Sequence, residues 1–196
     1  GTIDGITTVT AGATLEIDGS GLSIPEYITF SGTGHLYTGA IRNRTGNNTI
    51  TGLLTLGTVP MIMSDTGTTL TIDTKGLFAA TNGLTVGGAG NTTFTSTAPI
   101  YGTSATLTKN DSGTLTLQAL NNFTGATVIN GGTLVLNESG SIPLSVVMTI
   151  NAGATLTLDN TSSSTVVDRL ADSLALTMNG GNFNFIGSSS ANMDET

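Results

Sequence analysis

The side chains that could do chemistry in this chain are few, and their spacing carries the argument. The one histidine, His35, sits in Gly32-Thr33-Gly34-His35-Leu36. An imidazole acting as a general base needs a partner to orient it, and none is predictable here, so a surface or corner histidine is the favoured reading. Arg42 and Arg44 flank Asn43 and so share one face of an extended segment. A solenoid polysaccharide lyase would use such a cation as base beside calcium-holding carboxylates. No Asp or Glu lies near the two arginines in sequence, so neighbouring coils would have to bring them. A glycosidase pair of carboxylates would be sought among Glu16, Glu26, Asp65 and Asp168, and nothing in the sequence pairs any two. Asp18, Asp73 and Asp159, with Asn137, each follow a strand-like run. Stacked in register they would form a cation-binding row, but Asp and Asn also end strands by bonding the following turn, and that reading is favoured. Gly87-Gly88-Ala89-Gly90-Asn91-Thr92 is similar to the calcium nonapeptide G-G-x-G-x-D, yet Thr92 stands at the Asp position and no tandem copy follows. No catalytic, metal or cofactor-binding residue is assigned, and no cofactor is expected.

Composition narrows the classes further. Five Lys+Arg against 13 Asp+Glu leave a net charge of −8, which argues against a nucleic-acid partner, since phosphate binding needs clustered cations. Zero cysteines remove disulfide scaffolds, thiolate zinc sites and cysteine nucleophiles. No run of 18 apolar residues occurs, so no helix of this segment is expected to insert in a membrane. Charged residues are only 9%, while 27 Gly, 39 Thr, 17 Ser and 16 Asn make up half the chain. Disorder is the obvious reading of such a composition. A hydrophobic content of 37%, arranged with a period, argues against it. Seven N-x-[ST] sequons, at Asn43, Asn47, Asn91, Asn110, Asn122, Asn137 and Asn160, are only slightly more than chance gives in so Ser/Thr-rich a chain.

The period is two. Thr14-Leu15-Glu16-Ile17, Thr69-Leu70-Thr71-Ile72, Thr114-Leu115-Thr116-Leu117, Thr133-Leu134-Val135-Leu136, Thr155-Leu156-Thr157-Leu158 and Asn182-Phe183-Asn184-Phe185 put apolar residues on one face and Thr or Asn on the other. That pattern specifies half-buried strands. Val166 to Leu174 is the one stretch with helix-compatible spacing, and 160–174 is read as a loop or short helical insertion. Each strand follows a Gly-bearing turn; Thr10-Ala11-Gly12-Ala13-Thr14-Leu15 matches Asn151-Ala152-Gly153-Ala154-Thr155-Leu156 almost letter for letter. The first inward residues, Leu15, Leu36, Ile50, Leu70, Phe94, Leu115, Leu134, Leu156 and Phe183, recur about every 21 residues, a solenoid period. The expected fold is all-β: a single-stranded parallel β-helix of about nine coils, each coil holding three short strands, continuous over 1–196. Gly1 falls inside a strand-like pattern, so the segment is expected to be a slice of a longer repeat protein. Thr arrays on a flat face can also order water, but Thr spacing is read as irregular between coils, which counts against ice binding.

One stretch is more specific. Leu107-Thr108-Lys109-Asn110-Asp111-Ser112-Gly113-Thr114-Leu115-Thr116-Leu117, followed by Asn121 to Leu136 with Phe123-Thr124-Gly125, Thr127-Val128-Ile129 and Gly131-Gly132-Thr133-Leu134-Val135-Leu136, resembles the autotransporter-associated β-strand repeat, or passenger-associated transport repeat. The family pattern is L-T-K-x-G-x-G-T-L-x-L, a short N-x-[YF]-x-G link, then T-x-[IV]-x-x-G-x-L-x-L. Asp111 replaces a usual glycine or alanine at a corner. The resemblance covers 107–136 and implies a right-handed β-solenoid stalk or passenger on the bacterial cell surface, without catalytic residues. The expected partners are the rest of the parent chain, further copies through coil stacking or lateral packing, and surface glycans or matrix. The function expected is a non-enzymatic extracellular structural or adhesive segment. A carbohydrate-active β-helix, lyase or hydrolase, is the rival; it would need three or more charged side chains on adjacent coils of one face.

Overall fold

The computed structural model describes residues 5–78, 82–162, 166 and 168–188. The chain winds as three-strand coils. The first three are β1 (Ile6–Val9), β2 (Leu15–Ile17) and β3 (Ser23–Ile24); β4 (Tyr27–Phe30), β5 (Ile41–Asn43) and β6 (Asn47–Ile50); then β7 (Leu54–Leu56), β8 (Met61–Ser64) and β9 (Thr69–Ile72). Three more follow: β10 (Leu77–Phe78), β11 (Leu84–Gly87) and β12 (Asn91–Phe94); β13 (Ile100–Gly102), β14 (Leu107–Lys109) and β15 (Thr114–Leu117); β16 (Asn122–Phe123), β17 (Thr127–Ile129) and β18 (Gly132–Leu136). The last two coils keep two strands each, β19 (Val147–Asn151) with β20 (Ala154–Asp159), and β21 (Ala175–Asn179) with β22 (Asn182–Ile186).

Every strand pairs in parallel with its counterpart one coil away, giving sheets of six, eight and eight strands. The first sheet runs β1 to β16 and is carried on by the bridges Leu120↔Ser141 and Ile142↔Leu170. The second holds β2 through β21 and the third β3 through β22. This is the parallel β-solenoid the alternation specifies. Stacked strands lie about 4.8 Å apart, so eight layers span roughly 34 Å.

The coil count is lower than expected. Along the third sheet the register Ser23↔Thr49↔Thr71↔Thr93↔Thr116↔Val135↔Thr157↔Asn184 steps by 26, 22, 22, 23, 19, 22 and 27 residues. That is about seven turns averaging 23 residues, not nine coils of 21. Two members of the inferred register caused the difference. Leu36 lies exposed in the short 3-10 turn His35–Tyr37 and marks no coil. Leu15 is in β2 of the second sheet, whereas the other members lie in the third.

The core is a narrow column between the sheets. On the third sheet Ile50, Ile72, Phe94, Leu117, Leu136 and Leu158 stack in register, beside Leu70, Leu115, Leu134 and Leu156, all buried. Two polar residues interrupt the second column. Asn48 is buried against the Asn43 amide oxygen and the carbonyls of Gly19 and Thr45. The buried Thr92 hydroxyl meets that of Ser64 at 3.0 Å. Both are satisfied inside, which is what allows polar groups in a slim apolar interior. The described residues of 160–174 form bends, a turn and the Leu170 bridge without a helix; 163–165 and Val167 lie outside the described residues.

Candidate functional site

Parallel stacking converts residues 23 to 28 apart in sequence into neighbours, and this builds the main charged cluster among the described residues. The outward positions of the second sheet pair Glu16 with Arg42 and Arg42 with Met63. Arg42 grips Asp65 through two bonds, Nε to Oδ1 at 3.0 Å and Nη2 to Oδ2 at 2.7 Å, and donates Nη1 to Glu16 Oε1 at 2.9 Å. Arg44 reaches Asp18 Oδ2 at 3.3 Å and Glu16 Oε2 at 3.9 Å. Thr45 donates to Asp18 Oδ1 at 2.6 Å. Five charged residues on three adjacent coils therefore meet on one face, the feature the carbohydrate-active reading requires.

Their chemistry does not serve that reading. A lyase base must lose its proton, and the hydrogen bonds that Arg42 donates to Asp65, with the one it donates to Glu16, raise its pKa above an already high ordinary value. The carboxylates are turned onto guanidinium groups rather than toward a common point. Among the described residues no three His, Asp or Glu side chains converge on a site for a metal ion. The network is a set of paired ions, largely exposed to solvent, and such pairs contribute little to stability.

The other residues singled out by the sequence are dispersed. His35 is exposed at its corner; its backbone N–H donates to Thr14 Oγ1 at 2.8 Å. Asp18 follows β2 on the second sheet, while Asp73, Asn137 and Asp159 lie along the third. Asp73 Oδ1 accepts the hydroxyls of Thr95 (2.8 Å) and Thr97, and these bonds, Thr97 first, lower its pKa. Asp159 Oδ1 accepts from the N–H and hydroxyl of Thr161 at 3.0 and 2.7 Å, the local turn bonding expected of a strand-ending Asp. Glu26 accepts the Thr7 hydroxyl at 2.9 Å, far from Asp168, which is exposed near the opposite end. Of the four carboxylates considered as a hydrolytic pair, only Glu16 and Asp65 come together, and Arg42 sits between them.

Three arrangements escaped the sequence reading. Asn110, Asn130, Asn151 and Asn179 occupy successive coils and form an amide ladder, with Asn130 donating to Asn110 at 2.8 Å, Asn151 to Asn130 at 2.7 Å and Asn179 to Asn151 at 3.2 Å. The signal was present in the recurring Asn at the same turn. The second is the outer face of the third sheet, where irregular coil lengths are absorbed at corners while strand register is kept. Thr69 and Thr71, Thr114 and Thr116, and Thr155 and Thr157 thus fall in two straight columns. Asn47, Asn91, Val135, Asn182 and Asn184 interrupt them.

The third is Lys109, only 1% exposed. It takes an inward position, between Val86 and Ile129 in the strand register. Alternation from Leu107 puts it there. Its Nζ donates to the carbonyls of Asn110, Asp111 (2.9 Å) and Gly131 (3.2 Å), so its head ties one corner to the corner of the next coil. Asp111 itself adopts φ 59°, the left-handed conformation that explains why glycine is usual there and why Asp is tolerated. Its Oδ2 accepts the Gly88 N–H at 2.8 Å.

Each half of 107–136 thus packs on the other: β14 on β17 and β15 on β18, with Leu107 opposite Thr127, Leu115 opposite Leu134 and Leu117 opposite Leu136. Residues 107–136 match the model of the passenger-associated-transport-repeat. The repeat is one turn of the solenoid plus two further strands, β14 to β18. It is recognisable as a unit because it contains a whole inter-coil interface, including the Lys109 tie. Among curated proteins and solved structures nothing matches the chain. The repeat and the solenoid together fit a passenger-type segment of an autotransporter.

Lys109 has a measurable consequence. Burial lowers its pKa from 10.5 to about 8, against an opposing pull from Asp111. The unfolded chain therefore binds more protons between about pH 8 and 10.5, and stability must rise with pH across that window and be indifferent to this group below it. In urea denaturation, the midpoint at pH 9.5 minus that at pH 7.5 is expected to be more positive for the wild type than for Lys109→Met. Equal differences in the two proteins would refute the assignment.

Proposed function

We propose that this chain is a length of an extracellular, cell-surface scaffold: a stalk, passenger or fibre segment that spaces or presents and adheres, without catalysing a reaction. The observation that supports this best is the unbroken stack of coils, with the passenger repeat at 107–136 set in register with the coils on either side. Outward positions are mainly hydroxyl and amide groups, and in the cluster around Arg42 both guanidinium groups are engaged by carboxylates. Adhesion by such a surface is weak per site and gains strength by multivalency.

Self-association belongs to the same proposal. In the last coil Leu176, Met178, Phe183 and Phe185 continue the inward columns but are exposed. Any further coil, from a second copy or from more of the parent chain, finds there an open strand edge and an apolar floor. Incubation with mixed acidic polysaccharides is expected to yield no unsaturated or reducing ends. Sedimentation velocity is expected to show concentration-dependent growth that Phe183→Lys with Phe185→Lys suppresses. Robust turnover overturns the scaffold reading. A strictly monomeric rod at high concentration removes the self-associating part alone.

A further inference from the structure

The five Lys and Arg side chains of this acidic chain are used very unevenly. Arg42 and Arg44 hold carboxylates. Lys109 and Arg169 are buried with their heads on carbonyl groups. Lys75 differs: it is exposed, and no hydrogen bond or ion pair to its ammonium occurs among the described residues. It stands at the wall of a pocket of about 220 Å³ whose other walls are Tyr27, Thr51, Leu53 and Thr74.

This pocket is built by stacking. Tyr27 opens β4, Thr51 and Leu53 form the link from β6 to β7, and Thr74 and Lys75 form the link from β9 to β10. Three consecutive coils therefore contribute at the same corner, between the third and first sheets. Tyr27 is 47% exposed, so part of its ring is free. Thr74 is only 2% exposed and its hydroxyl is buried with no hydrogen-bond partner. An unsatisfied buried hydroxyl is costly and calls for a partner. Nearby carboxylates are already engaged: Asp73 by the hydroxyls of Thr95 and Thr97, Glu26 by that of Thr7. Neither pairs with Lys75.

We infer that this corner is a binding subsite for one carboxylate-bearing sugar residue, a uronic acid unit of an acidic polysaccharide. The Tyr27 ring and Leu53 offer an apolar wall to the C–H face of a pyranose. The Thr51 and Thr74 hydroxyls match its hydroxyl groups, and Lys75 supplies the cation for the carboxylate. The volume is below the roughly 300–1,000 Å³ of sites for drug-sized ligands and suits a single ring. Asp73 and Glu26 keep the local potential negative, so affinity at one subsite is modest and depends on many such segments being presented together. The site lies away from the arginine cluster and from the end coil, so it gives the scaffold a ligand without resting on self-association.

The test is an NMR and calorimetric titration of the whole chain with trigalacturonate, and with a neutral galactose trisaccharide as control. Trigalacturonate is expected to bind at millimolar concentration or better, to shift the signals of Tyr27 and Lys75, and to weaken as salt rises. Lys75→Gln and Tyr27→Ala are each expected to lower affinity about tenfold, in keeping with one charge-assisted bond or one ring contact. Lys75→Arg is expected to retain binding. Thr74→Val is expected to weaken binding while raising the melting temperature, a combination that a purely structural threonine would not give. Absence of binding at millimolar ligand, equal binding of the neutral trisaccharide, or unchanged affinity in Lys75→Gln and Tyr27→Ala overturns the proposal.

Discussion

Arg169→Met is expected to destabilise the chain by about 3–5 kcal/mol, because several buried acceptors lose their donor at about 1–3 kcal/mol each. Arg169 is fully buried. Its guanidinium donates to the Asn160 amide oxygen, the Gly140 carbonyl, the Glu138 carbonyl at 2.9 Å and the Asp159 carbonyl at 3.2 Å. Its own carbonyl accepts the Ile142 N–H at 2.7 Å. Glu138 and Gly140 follow β18, Asp159 and Asn160 close β20, and Arg169 itself lies on the way to β21. One side chain thus fastens three successive windings at the corner where the first sheet has dwindled to single bridges. Methionine fills similar space but leaves several buried acceptors without donors. Because solenoid coils depend on their neighbours, the loss is expected to be local: hydrogen exchange speeds up in β19 to β22 while β4 to β12 keep their protection. Loss of under 1 kcal/mol in urea unfolding, or uniform loss of protection along the stack, contradicts this account.

Gly88→Ala is expected to cost about 3 kcal/mol or more, through a different cause. Gly88 has φ +94°, and a Cβ there would stand 2.0 Å from the Ser64 carbonyl oxygen on the coil below. The left-handed backbone alone disfavours an L side chain by about 1–2 kcal/mol, and relieving the overlap requires moving one coil against another, typically 1–3 kcal/mol more. The same corner holds the Asp111 bond to the Gly88 N–H and the Gly113 N–H bond to the Gly88 carbonyl, so displacement there disturbs the repeat at 107–136. Gly67→Ala is the control: φ is +77° but a Cβ would meet nothing within 4 Å, so only the conformational cost of about 1–2 kcal/mol is expected. Thermal melts of the two variants separate the effects; similar losses would show that the close approach is unimportant.

Lys109 and Arg169 mark two depths of legibility. Period-two alternation from Leu107 already places Lys109 inside, and the corner glycines already announce close-packed turns. Nothing near Arg169 announces its burial, because its acceptors come from residues 9 to 31 positions away. The same holds for Glu16, Arg42 and Asp65. They look unrelated along the chain and form one network only when coils stepping by 26 and 21 residues are stacked. The irregular Thr spacing misled for a like reason: spacing along the chain varies with corner length, whereas spacing across the sheet is fixed by hydrogen bonds.

By itself the sequence determined the strands of the third sheet with their inward faces, and the stacked-coil class, since these follow from local alternation and from backbone conformations few residues adopt. It also located the passenger repeat, whose two halves carry their own mutual interface. The tertiary structure alone decided the number of windings, which charges neutralise one another, where Arg169 is fastened, and that Tyr27, Thr74 and Lys75 wall one pocket. Those properties depend on which residue lies above which, and that is set by the summed lengths of strands and corners in each coil, a quantity no short motif records.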